Sequence, residues 1–406
     1  MNFKHAIQAC VNEQIGEQSM PARDISDWLL KEAIHEADSA HIFDGLCERL
    51  VDAGIPIDRA MYTAQTLHAE QSGYGRVWNP GGPSTYIPFL YNNRFDELYT
   101  HSPFAWVHEN KKSLSLCLTE TADERFGIIA DFKQQGFTHY FCIPLFFTSG
   151  ANNGLSFATR DPGGLTREHL ILIEEILPAL SAVAEVKSSD QRLHSALATY
   201  VGDEPSAMIL AGDIHRGGVK RIRSAIMFVD MRNFTKLSAE VSEEKLVEVL
   251  NEYYDCVVPH VEAAGGEVLK FIGDGVLAVF RAEKGQGPDA CARVLEVVKS
   301  VLKAIDQHNI EREKGTQRPI HAGVALHFGN PAYGNVGSGT RLDFTVIGRD
   351  VNLTSRIADK CSSFDRRLLM SQAFVNRLPE TTYKALGSYR LSGIPDETTL
   401  YVPSAE

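Results

Sequence analysis

Apolar residues recur at helical spacing through 24–53 (Trp28, Leu29, Ala33 and Ile34, then Ile42, Leu46 and Leu50), which predicts two amphipathic helices. A break at Gly54-Ile-Pro-Ile57 leads to an expected strand over 60–67, and 79–84 is a Pro/Gly turn cluster. The run 137–147, with Phe141, Ile143 and Leu145, reads as a buried strand. It is followed by a turn at 148–153, a second strand at 154–159 and another turn at 161–164. Thr166 is placed to cap a helix through about Ser188, with Glu168 favourable in its first turn. Segment 191–223 is mixed and polar, carries Gly202, Gly212, Gly217 and Gly218, and reads as a linker that transmits a signal.

From Ser224 the rhythm changes. Residues 224–230 form a short apolar run ending in an acid, the pattern of a buried strand. A helix is expected over 243–264, stopped by Gly265-Gly266. Two apolar runs, 268–272 and 276–280, flank Gly273-Asp274-Gly275 and predict a hairpin. Further elements are a helix at 289–308, strands at 320–327 and 341–347, and a helix at 351–360. Strands and helices mix around a central hairpin, so this half is read as α+β.

The 406 residues allow two or three domains. The expected division is a tail over 1–22, a domain over 23–190, a linker over 191–221 and a second domain over 222–406. A net charge of −12 argues against a nucleic-acid partner, which needs a basic face, but leaves nucleotide substrates open because metal ions can supply local positive charge. Seven cysteines without CxxC spacing fit a reducing compartment. No apolar run reaches the roughly 18 residues of a membrane span, and the N-terminus lacks a signal-peptide core. A cytoplasmic location is expected.

Two acids stand out: Asp230 closes a buried strand, and Asp274 sits at a hairpin tip. Paired carboxylates can hold divalent cations for phosphoryl chemistry, although acids at strand ends are also common turn formers and caps. Their surroundings decide the reading. The segments Phe228-Val-Asp-Met-Arg-Asn-Phe-Thr235, Lys270-Phe-Ile-Gly-Asp-Gly-Val-Leu-Ala-Val-Phe280 and Phe344-Thr-Val-Ile-Gly-Arg-Asp-Val-Asn-Leu-Thr-Ser-Arg356 resemble, in order and spacing, the three signatures of class III adenylate and guanylate cyclases. The resemblance covers about 222–402.

That resemblance implies a ferredoxin-like βαββαβ core, a homodimer with sites at the shared interface, and two Mg²⁺ or Mn²⁺ ions per site on Asp230 and Asp274. It implies that the backbone through Phe234 and Thr235 lines the triphosphate, with Asn233 where many members have Gly. Lys270 and Thr345 match the base-reading pair, and Lys at the first position favours ATP over GTP. Asn352 and Arg356, four apart on one helical face, match the ribose-orienting Asn and the Arg that meets transition-state charge. Where many members carry a triphosphate-contacting Lys near the C-terminus, Ser392 stands here, with Arg390 as the neighbouring substitute. Thr345 in place of Asp resembles the subgroup that includes bicarbonate-responsive enzymes. The implied activity is adenylate cyclase, with guanylate cyclase or a non-catalytic nucleotide-binding module as alternatives.

The strand pair and long helix over 130–188 resemble the end of a GAF-type sensor, implying an N-terminal α/β domain that takes a small-molecule regulator. The alternative is a module for packing and dimerisation.

Overall fold

The computed structural model describes residues 19–91, 98–150, 152–213, 215–283, 285–379 and 383–404. Most of the expected N-terminal tail, including Cys10, lies outside the described residues. The chain divides into two compact units, Met1–Thr199 and Tyr200–Glu406. The six described cysteines are all free thiols.

The N-terminal unit runs α1 (Met20–Lys31), α2 (Ser39–Asp52), β1 (Arg59–Gln65), β2 (Gln71–Trp78), β3 (Thr85–Leu90), α3 (Pro103–Asn110), β4 (Leu114–Cys117), α4 (Ile129–Gln134), β5 (His139–Phe146), β6 (Asn152–Thr159) and α5 (Arg167–Val201). Its strands form one sheet in the order β3-β2-β1-β6-β5-β4. All of its pairings are antiparallel, so the arrangement is α+β rather than a parallel α/β sheet. Leu29, Leu46, Ile173 and Ile176 pack α1, α2 and α5 on one face. Phe104, Val107, Ile129 and Phe132 cover the other.

Two features of this unit depart from the sequence pattern for identifiable reasons. Strand β2 is hidden because Gly73 and Gly75 interrupt its alternation; a Cβ on Gly73 would lie 2.5 Å from the Ala64 carbonyl oxygen on the neighbouring strand, so the sheet itself needs that glycine. Helix α5, expected to end near Ser188, continues to Val201. Residues 189–201 contain good helix formers and no breaker until Gly202, whose φ of 90° ends the run.

The C-terminal unit runs α6 (Asp203–Leu210), β7 (Val219–Arg221), β8 (Ser224–Met231), α7 (Phe234–Glu240), α8 (Glu243–Ala263), β9 (Glu267–Ile272), β10 (Gly275–Arg281), α9 (Gly287–Lys314), β11 (Ala322–Gly329), β12 (Ala332–Gly337), β13 (Leu342–Ile347), α10 (Arg349–Ser363), β14 (Leu368–Ser371), α11 (Gln372–Val375), β15 (Tyr383–Tyr389) and β16 (Thr398–Pro403). Seven strands form a sheet in the order β15-β16-β14-β11-β8-β10-β9, and β13-β12-β7 form a small second sheet. Strand β8 lies inside the larger sheet, with helices on both sides. Ala225, Met227 and Val229 face Tyr253, Val257, Val294 and Val298 of α8 and α9. Ile226 and Phe228 face Val351, Ile357 and Ala358 of α10. Burial on both faces explains the unbroken apolar run, and each such large side chain contributes about 1.5–3 kcal/mol.

Candidate active site

Antiparallel pairing of Val276 with Val229 brings the hairpin turn of β9 and β10 beside the end of β8. Gly273 supplies a φ of 63° in that turn, and a Cβ on Gly275 would fall 2.6 Å from the Phe228 ring. The two glycines thus serve the turn and the close approach, and they carry Asp274 against Asp230. Tyr254 of α8 fixes the tip: its hydroxyl donates to the Gly273 carbonyl at 2.8 Å, and its ring packs 4.4 Å from that of Phe271.

The two carboxyl groups strain each other electrostatically. Burial, then the charge and hydrogen bonding of Asp274, push the Asp230 carboxyl up to about 7. Asp274 is also raised by burial, against the pull of backbone hydrogen bonds from its own residue and from Met231. Like charges this close cannot both ionise cheaply without a cation. Beneath them the fully buried Tyr253 hydroxyl has no hydrogen-bond partner among the described residues, and its ionisation is opposed by burial and by the charges of Asp230 and Asp274. Among the described residues no cluster of three or more His, Cys, Asp or Glu side chains could hold a metal ion by itself. Two carboxylates fit Mg²⁺ or Mn²⁺, which commonly take one or two protein carboxylates and complete their shell with substrate phosphates and water.

Beyond Asp230 the chain turns sharply. Asn233 adopts φ 61°, ψ 23°, the left-handed conformation that Asn tolerates best among residues with a side chain, and α7 begins at Phe234. Phe234 is half-buried and Thr235 exposed. Arg232 anchors the loop by donating to the carbonyls of Cys361 and Arg366 and by pairing with Asp365 at 3.3 Å.

Lys270 and Thr345 lie on β9 and β13, both half-exposed. The Lys270 ammonium donates to Asp343 at 2.6 Å, and Asp343, two residues before Thr345, shares its face of the strand. Sequence reasoning missed Asp343, although alternation along β13 places it beside Thr345. Asn352 and Arg356 stand on the exposed face of α10, opposite the buried Val351, Thr354 and Ile357. Arg356 pairs with Asp359 of its own helix at 3.1 Å, and among the described residues no hydrogen bond or ion pair joins it to Asp230 or Asp274. The start of α10 is held by Asp350, which accepts from the Asn330 amide at 2.6 Å and faces His327 at 3.5 Å; the His327 interaction is the main cause that keeps its carboxyl below the usual range. Asp350 and His327 were also unnoticed in the sequence, since partners 23 residues apart leave no periodic signal. Arg390 is 86% exposed and lies 3.6 Å from Glu397, remote in contacts from the acid pair.

Residues 221–403 match the family model described as adenylate and guanylate cyclase catalytic domain. An adenylate cyclase of Anabaena cylindrica is 31% identical over 170 residues, which is 41% of this chain and 33% of that protein. Adenylate cyclase 1 of Rhizobium meliloti is 28% identical over 232 residues, 54% of this chain and 34% of that protein. The solved structure of the adenylyl cyclase CyaB from P. aeruginosa shares 26% identity, covers 45% of this chain and 94% of that one, and superposes with a TM-score of 0.41. The chain thus spans about a third of the length of these two curated relatives. The C-terminal unit carries a class III adenylate/guanylate cyclase catalytic domain. No helix among the described residues is long and apolar enough to cross a membrane.

Proposed function

We propose that the C-terminal unit converts ATP to cyclic AMP and pyrophosphate. The observation that carries this reading is the juxtaposition of Asp230 and Asp274, two half-buried carboxyls with raised proton affinity at the end of one strand and the tip of the adjoining hairpin. Mg²⁺ or Mn²⁺ held there would lower the pKa of the ribose 3′-hydroxyl and offset the triphosphate charge. The backbone from Asn233 through Thr235 binds phosphate oxygens. Asn352 orients the ribose. The 3′-hydroxyl gives up its proton, with Asp230 helping to accept it, its oxygen forms a bond to the α-phosphorus as the bond to the bridging oxygen breaks, and pyrophosphate leaves with the electron pair. Arg356 meets the charge that builds on the transferring phosphoryl group.

Lys270 donates to a ring nitrogen of adenine, and the Thr345 hydroxyl accepts from the exocyclic amino group. Guanine recognition would need an acid free to accept from the base; Asp343, the acid at this position, is tied to Lys270. The β8-α8-β9-β10-α9-β11 order supports the ferredoxin-like core. The outward face of Asn352 and Arg356 supports a homodimer in which each chain completes the other's site.

The test is an assay with Mn²⁺ and either ATP or GTP, separating cyclic products by chromatography. ATP should be the substrate, and Asp230→Ala or Asp274→Ala should abolish turnover with the fold intact. Lys270→Glu combined with Thr345→Cys should lose ATP activity by orders of magnitude, because groups built for one base are left unpaired with the other. Near-normal turnover in either Ala variant would remove the metal assignment, and an unchanged ATP preference in the double variant would remove Lys270 and Thr345 from the base site.

The N-terminal unit is read as a GAF-like regulatory domain for a small molecule, on the support of its six-stranded antiparallel sheet backed by α1, α2 and α5.

A further inference from the structure

The loop that follows Asp230 has a second side. A pocket of about 280 Å³ opens behind it, between α7, α8, the end of α9 and the segment leading into β11. Its polar lining consists of Arg232, Asn233, Lys236, Arg312, Arg318 and His321, with no carboxylate among the lining residues. In a chain of net charge −12, such a convergence of cationic groups is against the background rather than part of it.

The local acids neutralise only some of these groups. Arg312, 5% exposed, is committed to Glu252 and to the Arg318 carbonyl at 2.8 Å. Arg318 reaches Glu240. Arg232 is pinned by Asp365 and two carbonyls, while its buried Nε has no acceptor among the described residues. Among the described residues the side chains of Lys236 and His321 form no hydrogen bond or ion pair, and they remain available to a ligand. Guanidinium and ammonium groups around a compact cavity suit an oxyanion of several charges.

We propose that this pocket is an anion site that takes inorganic pyrophosphate or phosphate, separate from the acid pair, since neither Asp230 nor Asp274 lines it. Naming pyrophosphate as the natural occupant rests on the cyclase reading above, in which it is the product; the anion site itself does not. Met231, Arg232 and Asn233 wall the pocket and also lead into Phe234 and Thr235. The Arg232 amide donates to the His321 carbonyl at 2.8 Å, so the two walls are tied together. An anion drawn between Lys236, Arg318 and His321 therefore acts on the loop that binds substrate phosphates, and bound pyrophosphate changes turnover without competing for the ATP position.

The experiment is a calorimetric titration of the full chain carrying Asp230→Ala, with pyrophosphate and separately with phosphate, in EDTA so that no divalent cation can hold either anion at the acid pair. Pyrophosphate should bind, and Arg318→Gln with His321→Ala should weaken it at least tenfold. Both substitutions lie on exposed side chains, and Lys236→Met provides a third, single-residue check. Tighter binding of pyrophosphate than phosphate identifies a two-phosphoryl site, and equal binding a one-phosphoryl site; either supports the proposal. Absence of binding in EDTA, or binding untouched by all three substitutions, overturns it. With wild-type acids, Mn²⁺ and ATP, pyrophosphate inhibition should be mixed, and purely competitive in the Arg318→Gln, His321→Ala variant. If the chain makes no cyclic nucleotide yet the titration succeeds, the catalytic reading fails and the anion site stands.

Discussion

Asp230 shows most directly how a single residue carries both chemistry and cost. Its proton affinity is raised in the folded chain, to about 7, whereas an unfolded chain releases that proton near the ordinary Asp value of about 4. Between those values the folded state holds more protons than the unfolded one, so without a divalent cation stability falls as pH rises through this window. A bound cation must displace the proton and removes the repulsion with Asp274. The increase in Tm on adding Mn²⁺ should therefore grow as pH rises through about 7, and should vanish in Asp230→Ala. A cation effect that is flat across that window, measured by thermal unfolding in Mn²⁺ against EDTA, would mean that the acids are not the binding site.

At the scale of elements, the proposed site depends on two helices anchored by polar contacts. Asn309 lies in the part of α9 that extends beyond the helix read from the pattern. Its amide donates to the Ile320 carbonyl and accepts from the Ile320 amide, each at 2.7 Å, clamping the entry to β11. Asn309→Leu keeps the volume but strands both backbone groups, and should lower the stability of the C-terminal unit by about 3 kcal/mol. Urea unfolding followed for that unit checks this; an unchanged midpoint would show that water replaces the clamp. Helix α10 is set in the same way by Asp350 with His327 and the Asn330 amide, which leaves Asn352 and Arg356 facing outward.

For the whole molecule, the outward Arg356 makes the shared-site proposal testable. Asp230→Ala and Arg356→Ala should each be nearly inactive alone. In a mixed dimer one site collects both defects and the other neither. Random exchange makes about half the dimers mixed, so activity should recover to about a quarter of wild type. No recovery in co-expressed, demonstrably mixed dimers would mean that the site is complete within one chain or needs a different partner. The regulatory reading of the N-terminal unit has its own measurement: a chain shortened to begin at Tyr200 should differ from the full chain in specific activity at equal dimer occupancy. Equal activity, with and without candidate ligands, favours a packing module.

Much of the C-terminal unit was legible in the residues alone. The apolar run 224–229, the Gly273-Asp274-Gly275 turn and the four-residue step from Asn352 to Arg356 are local signals, and the backbone periods of strand, turn and helix translate them directly into geometry. Asn233 belongs with them, since its tolerance of left-handed backbone is intrinsic to the residue. Strands β2, β12 and β14 to β16, by contrast, are short, glycine-broken or polar, and pairing with distant strands is what makes them strands. The grip of Tyr254 on Gly273, the tie of Lys270 to Asp343, the Asp350–His327 contact and the cationic pocket beside the loop after Asp230 all join residues from separate elements. Only the tertiary structure could decide them, because a hydrogen bond or a charge pair depends on distance in space, and separation along the chain does not encode it.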